Sequence, residues 1–200
     1  KVKCIMLNRE NSINVLQNNV VQEHAEIKFQ ELPFMTKINL RGNPNDKNFM
    51  SSASKVLNTI LQTRPNTYIE IDSLKIIWLG PKEWLVIDEK RDDKQDLFSK
   101  LENSIGSQDA SVTDVSENRT VIRIMGTKLF ILLSKFLALD LDNSLADSSS
   151  VAQTLFIKVP VLLMRHHKHN KEPKIDIYTN RSHANYVYKI LVDGAKNLDF

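Results

Sequence analysis

The sequence predicts an α+β fold made of two similar ferredoxin-like βαβ-type units packed together, and three observations carry that prediction. Short strand-like alternations are interleaved with amphipathic helical stretches along most of the chain, each closed by turn or cap residues. The two halves repeat the same grammar: "INLRGNPNDKNFMSSASKVLN" parallels "IRIMGTKLFILLSKFLALDL", and "EWLVIDEKRDDKQDLFSKLEN" parallels "KIDIYTNRSHANYVYKILVDG". Finally, 200 residues that are 42% hydrophobic and 26% charged can fill a core without disulfide support.

Residues 1–34 are polar, Asn-rich and weakly periodic, with Ile13, Val15, Leu16, Val20 and Val21 as their apolar cluster. They are expected to form an N-terminal arm, either flexible or ordered against a partner. The first unit is placed at 35–108. Met35 to Leu40 alternates as a strand ending at Gly42, and Asn43-Pro44-Asn45-Asp46 supplies a turn and an N-cap. Phe49, Met50, Ala53, Val56 and Leu57 then share a helical face. Strands are predicted over Thr67–Ile71, Leu74–Leu79 and Glu83–Asp88, the first two linked by Asp72-Ser73. Asp92 and Asp93 open a helix with Leu97, Phe98, Leu101 and Ile105 on its apolar face, stopped by Gly106.

The second unit, 109–200, has a strand at Thr120–Met125 closed by Gly126. A strongly apolar helix carries Leu129, Phe130, Leu132, Leu133, Phe136 and Leu137. A Ser/Asp-rich loop at 142–150 leads to strands at Val151–Val159 and Val161–Arg165 around Pro160, then to one at Lys174–Tyr178. The last helix places Ala184, Val187, Tyr188, Leu191 and Ala195 on one side.

Charge and motifs narrow the function classes. Basic residues number 27 against 24 acidic, a net +3 spread along the chain, which argues against nucleic-acid binding. The single cysteine, Cys4, allows no disulfide within the chain and fits a reducing compartment. No apolar run is long enough to span a bilayer, and the first thirty residues hold no signal-type segment, so a cytoplasmic location is expected. The five glycines, at 42, 80, 106, 126 and 194, form neither G-x-G-x-x-G nor a P-loop.

"RHHKHNK", residues 165–171, reads as a solvated hairpin loop rather than a zinc site, because a tetrahedral site needs three or four convergent ligands. Asp114, Arg119, Arg123 and Arg181 sit at strand edges or helix starts, where surface charge and N-capping account for them. Trp78 and Trp84 flank the Gly80-Pro81 turn of "IIWLGPKEWLVI". One is expected in the core and the other at a partner interface, since nothing near the turn in sequence supplies the polar groups of a ligand pocket.

Several segments then carry a family resemblance. "LRGNPNDKNFMSSASKVL", "TRPNT", "IIWLGPKEWLVI", "VTDVSENRTVIRIMG", "VAQTLFIKVPVLLMR" and "IDIYTNRSHANYVYKIL", in that order, resemble the gamma subunits of heterotetrameric sarcosine oxidases. They are also similar to the folate-binding domain of glycine-cleavage aminomethyltransferases, in which a D-V-S segment precedes a strand, a glycine and an apolar helix. Asp114-Val115-Ser116 matches that segment. The N-A-x-[ND] segment of those enzymes corresponds to Thr179-Asn180-Arg181-Ser182, which keeps only the asparagine.

The resemblance implies a non-catalytic or assembly subunit, with alpha and beta subunits as partners and no cofactor of its own. FAD, FMN, NAD, tetrahydrofolate and zinc would belong to other subunits. It leaves Asp114, Asn180 and Arg181 as the candidate cofactor-binding residues. The alternative it implies is a stand-alone folate-binding or aminomethyltransferase-like protein.

Overall fold

A computed structural model describes residues 12–13, 22–24, 27–90, 94–145, 150–166, 172–196 and 198. In chain order the elements are β1 (Gln22–His24), β2 (Ile27–Glu31), β3 (Thr36–Gly42), α1 (Lys47–Leu57), β4 (Tyr68–Ile71), β5 (Leu74–Gly80), β6 (Glu83–Asp88), α2 (Lys94–Ile105) and β7 (Ala110–Asp114). There follow β8 (Arg119–Gly126), α3 (Leu129–Ser134), α4 (Leu141–Ser144), β9 (Val151–Phe156), β10 (Val159–His166), β11 (Lys174–Asn180) and α5 (Arg181–Ala195). None of the described helices is long and apolar enough to cross a membrane.

Two antiparallel sheets result, ordered β4-β5-β6-β3-β7 and β1-β2-β8-β11-β10-β9. They stack face to face through Leu32, Met35, Ile77, Leu85, Ile87, Val121, Leu162, Met164 and Tyr178. The outer face of the first sheet buries Ile38, Leu40, Ile76 and Val86 under Phe49, Ala53 and Leu57 of α1 and Leu101 and Ile105 of α2. The second sheet is covered likewise by Leu129, Leu132 and Leu133 of α3 and Val187, Tyr188 and Leu191 of α5. The architecture is therefore helix, sheet, sheet, helix, and every central strand is buried on both faces.

Local sequence explains most elements. Asp46 adopts extended backbone and its Oδ1 accepts the N–H groups of Asn48 (2.9 Å) and Phe49 (3.4 Å), fixing the start of α1. α1 ends at Asn58 in the left-handed region, φ 53°. Gly42 closes β3 where Phe49 packs: a Cβ there would lie 2.5 Å from two ring carbons. Gly42→Ala is expected to destabilise the fold by about 1–3 kcal/mol through overpacking, read as a lower urea midpoint at unchanged slope.

Several expectations are corrected. The residues placed in an arm include β1 and β2. Ile27 and Phe29 are fully buried while Lys28 between them is exposed, and β2 pairs with β8 from Ile27↔Gly126 to Glu31↔Ile122. The strongly apolar helix stops at Ser134, because Lys135 and Phe136 turn more tightly, donating to the carbonyls of Leu132 and Leu133. The loop expected at 142–150 holds α4, whose N-cap Asp140 accepts from Asn143 N–H at 3.1 Å.

The turn between β9 and β10 falls at Ile157-Lys158, not Pro160. Pro160 sits inside β10, just before its first residue paired with β11, so its missing N–H costs that ladder nothing. Asp92, Asp93, His167 and His169 lie outside the described residues.

The two units also interlock. β3, β4, β5, β6 of one sheet correspond in position to β8, β9, β10, β11 of the other. The fifth place is exchanged: β7, from the second unit, flanks β3, and β2, from the residues that precede the first unit, flanks β8. The crossovers match in detail, with Val115 N–H donating to Lys37 O at 2.8 Å and Leu32 N–H to Val121 O at 2.9 Å. Neither sheet is complete without a strand from the other half.

Candidate functional site

The segment from Asp114 to Arg119 carries the chain from one sheet to the other, and the sequence-predicted site residues converge on it. Asp114, exposed at the end of β7, accepts Ser116 N–H on Oδ1 at 2.9 Å, a local turn-making bond. Ser116 is buried, and its hydroxyl accepts Lys37 N–H at 2.9 Å. Lys37 is 2% exposed. Its Nζ donates to Met35 O and Ser116 O, both at 3.2 Å, and lies 5.2 Å from the centre of the Phe34 ring. The Asp-Val-Ser segment thus spends its polar groups on its own turn and on β3.

Asn180 and Arg181 meet the same turn from the other side. Asn180 is the N-cap residue of α5 without a side-chain capping bond, and Arg181 N–H donates to Asn118 O at 3.1 Å. The Arg181 guanidinium donates to Glu117 Oε2 at 2.5 Å and to Ser12 Oγ at 3.0 Å. A cleft enclosing about 10 Å³ lies between Lys37, Arg119, Thr120, Arg181 and Leu32–Phe34. That is of the order of one water molecule.

A row of charges follows on the inter-sheet faces. Arg123 and Asp176 are cross-strand partners on β8 and β11. Arg123 donates through Nε and Nη2 to the two carboxylate oxygens at 2.7 and 2.8 Å, and His166 Nε2 approaches Oδ2 at 2.7 Å. Asp176 is fully buried. Burial works against its ionisation, but the bonds from Arg123 and His166 and their charges outweigh this and hold the carboxyl well below its usual range. On the facing sheet Lys75, 3% exposed, pairs with Glu89 at 2.5 Å. Arg123 is therefore half of a buried pair and not the surface charge expected of it.

At the opposite end of this row stand Glu83 and Arg119. Glu83 accepts from Asn39 Nδ2 at 2.6 Å and Arg41 Nη2 at 3.0 Å. Burial opposes its ionisation, yet these two bonds prevail and lower its pKa. Arg119 is half-buried. Burial depresses its pKa, and the charge of Glu83 opposes that shift.

The aromatic expectation divides between the two tryptophans. They are direct cross-strand partners, so both point to the helix side. Trp84 is 0% exposed and belongs to the core, whereas Trp78 is half-buried and keeps part of its ring accessible. Their turn does line a groove, contrary to expectation. An open space of about 750 Å³ is bounded by Gly80–Glu83, Arg41–Asn43 and Asp109–Ser111. Pairing of β3 with both β6 and β7 assembles it from three distant segments, which no local reading could reveal.

Sequence reasoning also missed Lys37, Asn39 and Glu83. The available signal was Lys37, Asn39 and Arg41 alternating on one face of a strand that is otherwise apolar.

The comparisons with known proteins agree with this geometry. Residues 41–197 match the family described as sarcosine oxidase, gamma subunit. The sarcosine oxidase subunits gamma of Corynebacterium sp. strains P-1 and U-96 are 26% and 24% identical over 139 residues. Each alignment covers 70% of this chain, and they span 67% and 66% of those relatives, about two thirds of their length.

A chain of the heterotetrameric sarcosine oxidase of Corynebacterium sp. U-96, solved in complex with pyrrole 2-carboxylate, superposes with a TM-score of 0.82 at 20% identity. It covers 96% of this chain and 97% of that one. The glycine cleavage system aminomethyltransferase T of Bartonella henselae gives 0.61 at 14% identity, covering 84% of this chain and 46% of that one. With the family model matched over most of its length, the chain belongs to the sarcosine oxidase gamma subunit family.

Proposed function

We propose that this chain is a non-catalytic assembly subunit of a heterotetrameric sarcosine oxidase, acting in the cytoplasm with alpha and beta subunits as its partners. The complex would oxidatively demethylate sarcosine to glycine and pass the one-carbon unit to tetrahydrofolate. In this reading FAD, FMN, NAD, tetrahydrofolate and zinc are held by the other subunits. The observation that carries the reading is the family match over residues 41–197, together with a fold that follows a sarcosine oxidase chain over 96% of this one.

The side chains support a structural role. Ser116 and Lys37 spend their polar groups on the crossover between the sheets, and Arg181 ties α5 to the same turn. Co-expression with candidate alpha and beta chains tests the proposal. The chain is expected to co-elute with them in size-exclusion chromatography, and the complex is expected to lose integrity or oxidase activity when it is omitted. A chain that elutes alone and leaves the oxidase unchanged refutes the proposal.

A further inference from the structure

Arg119 and Arg123 occupy equivalent positions on β8, four residues apart and on the same inter-sheet face. Arg123 has Asp176 directly opposite on β11 and takes both of its carboxylate oxygens. Arg119 has Asn180 opposite, a neutral residue. The nearest carboxylate across the sheets, Glu83, is engaged by Asn39 and Arg41. Among the described residues the Arg119 side chain makes no hydrogen bond or ion pair, although the residue is half-buried and lines a cleft with Lys37 and Arg181. A partly desolvated guanidinium offers five N–H donors in a planar fork that matches a carboxylate. Leaving them unsatisfied is unfavourable.

We infer that Arg119 is a docking point for a carboxylate, an Asp or Glu side chain carried by a partner chain, which supplies to Arg119 what Asp176 supplies to Arg123. Charge complementarity identifies the occupant: the Arg119 fork is cationic, while Glu83 is engaged by Asn39 and Arg41 and Glu117 by Arg181. Size excludes most free ligands, because the space enclosed there is about 10 Å³, of the order of one water molecule. The inference rests on the assembly role proposed above and names one contact of that assembly.

The test uses the full chain with Arg119→Met and Arg119→Lys, each titrated against a complex of the partner chains lacking this subunit. Arg119→Met is expected to bind about 10-fold or more weakly than wild type. Its isolated chain is expected to melt at the wild-type temperature or higher, because a partly desolvated cation without side-chain hydrogen bonds has been replaced by an apolar side chain of similar length. A purely structural arginine would instead lower the melting temperature, and that result overturns the inference.

Arg119→Lys keeps the charge without the fork. It is expected to fold as wild type and bind several-fold more weakly, which separates the fork from the charge. Variants that bind as tightly as wild type overturn the inference while leaving the assembly role intact. Failure of the wild-type chain to bind removes the assembly role itself. Acetate is the probe for a free ligand: saturable stabilisation of the wild type and not of Arg119→Met, with assembly unaffected, would overturn the partner as the source.

Discussion

Replacing Asp176 with alanine is expected to cost the fold about 3–5 kcal/mol, the largest loss for any single charge in the molecule. The reason is asymmetry. In the native state the bidentate bond from Arg123 and the bond from His166 compensate the carboxylate, which is fully buried between the sheets. Removing it leaves the Arg123 side chain, four-fifths buried, without its carboxylate. Replacing both partners, as in Arg123→Met with Asp176→Leu, is expected to recover most of the loss, because a buried pair and an apolar pair of similar volume are close in energy. Urea unfolding followed by tryptophan fluorescence measures both variants against wild type, and a loss below about 1 kcal/mol for Asp176→Ala would refute the account.

The same group sets an acid limit. A carboxyl whose folded pKa is depressed contributes its full stabilisation above the unfolded value, near 3.9 for aspartate. The contribution is lost as pH falls from there towards the folded value. Wild type is therefore expected to lose stability steeply below about pH 4, and Asp176→Ala, already weakened, to show a flatter dependence over that range.

How much of this was legible in the sequence depends on where each signal lies. β3, α1 and the β4–β5 hairpin could be read because alternation, the Asp46 cap and the Asp72-Ser73 turn are all local. β2 escaped because Ile27 and Phe29 are only two apolar positions in a polar neighbourhood, and what buries them is pairing with β8 almost a hundred residues later. β7 escaped for the same reason: as an edge strand it carries apolar side chains only at Ala110 and Val112. The exchange of these two strands is a tertiary fact with no local signature.

Side-chain roles follow the same rule. Arg123 and Asp176 lie 53 residues apart and become partners only through the β8–β11 register, so each alone reads as a surface charge. The converse holds for Asp114-Val115-Ser116. That segment was visible as a motif, but its bonds to Lys37 depend on β3 running beside β7. Family resemblance supplied the functional expectation, and the structure supplies what each residue of the motif does here.

Truncating Trp84 to alanine is expected to destabilise the chain by about 3–5 kcal/mol, well beyond the effect of the same change at Trp78. Trp84 is the largest fully buried side chain, stacked at a tilt of 36° against Phe49 with centroids 5.9 Å apart. Its indole N–H donates to Gln62 O at 2.8 Å, and the Gln62 side chain in turn donates to the carbonyls of Thr67 and Ile76. The substitution therefore opens a cavity under α1 and orphans a carbonyl that anchors the segment leading into β4. Trp84→Phe is expected to lose about 1–3 kcal/mol, keeping the aromatic contact and giving up the hydrogen bond and part of the volume.

Trp78, directly across the strand pair and half-buried, has solvent on one side, so its removal leaves no closed cavity. Each single variant keeps the other tryptophan as its fluorescent reporter, so one set of unfolding curves ranks them. If Trp78→Ala lost as much as Trp84→Ala, the assignment of one ring to the core would fail. If Trp78→Ala instead kept the stability of the free chain and weakened binding to the alpha and beta chains, the exposed part of that ring would lie at the subunit contact.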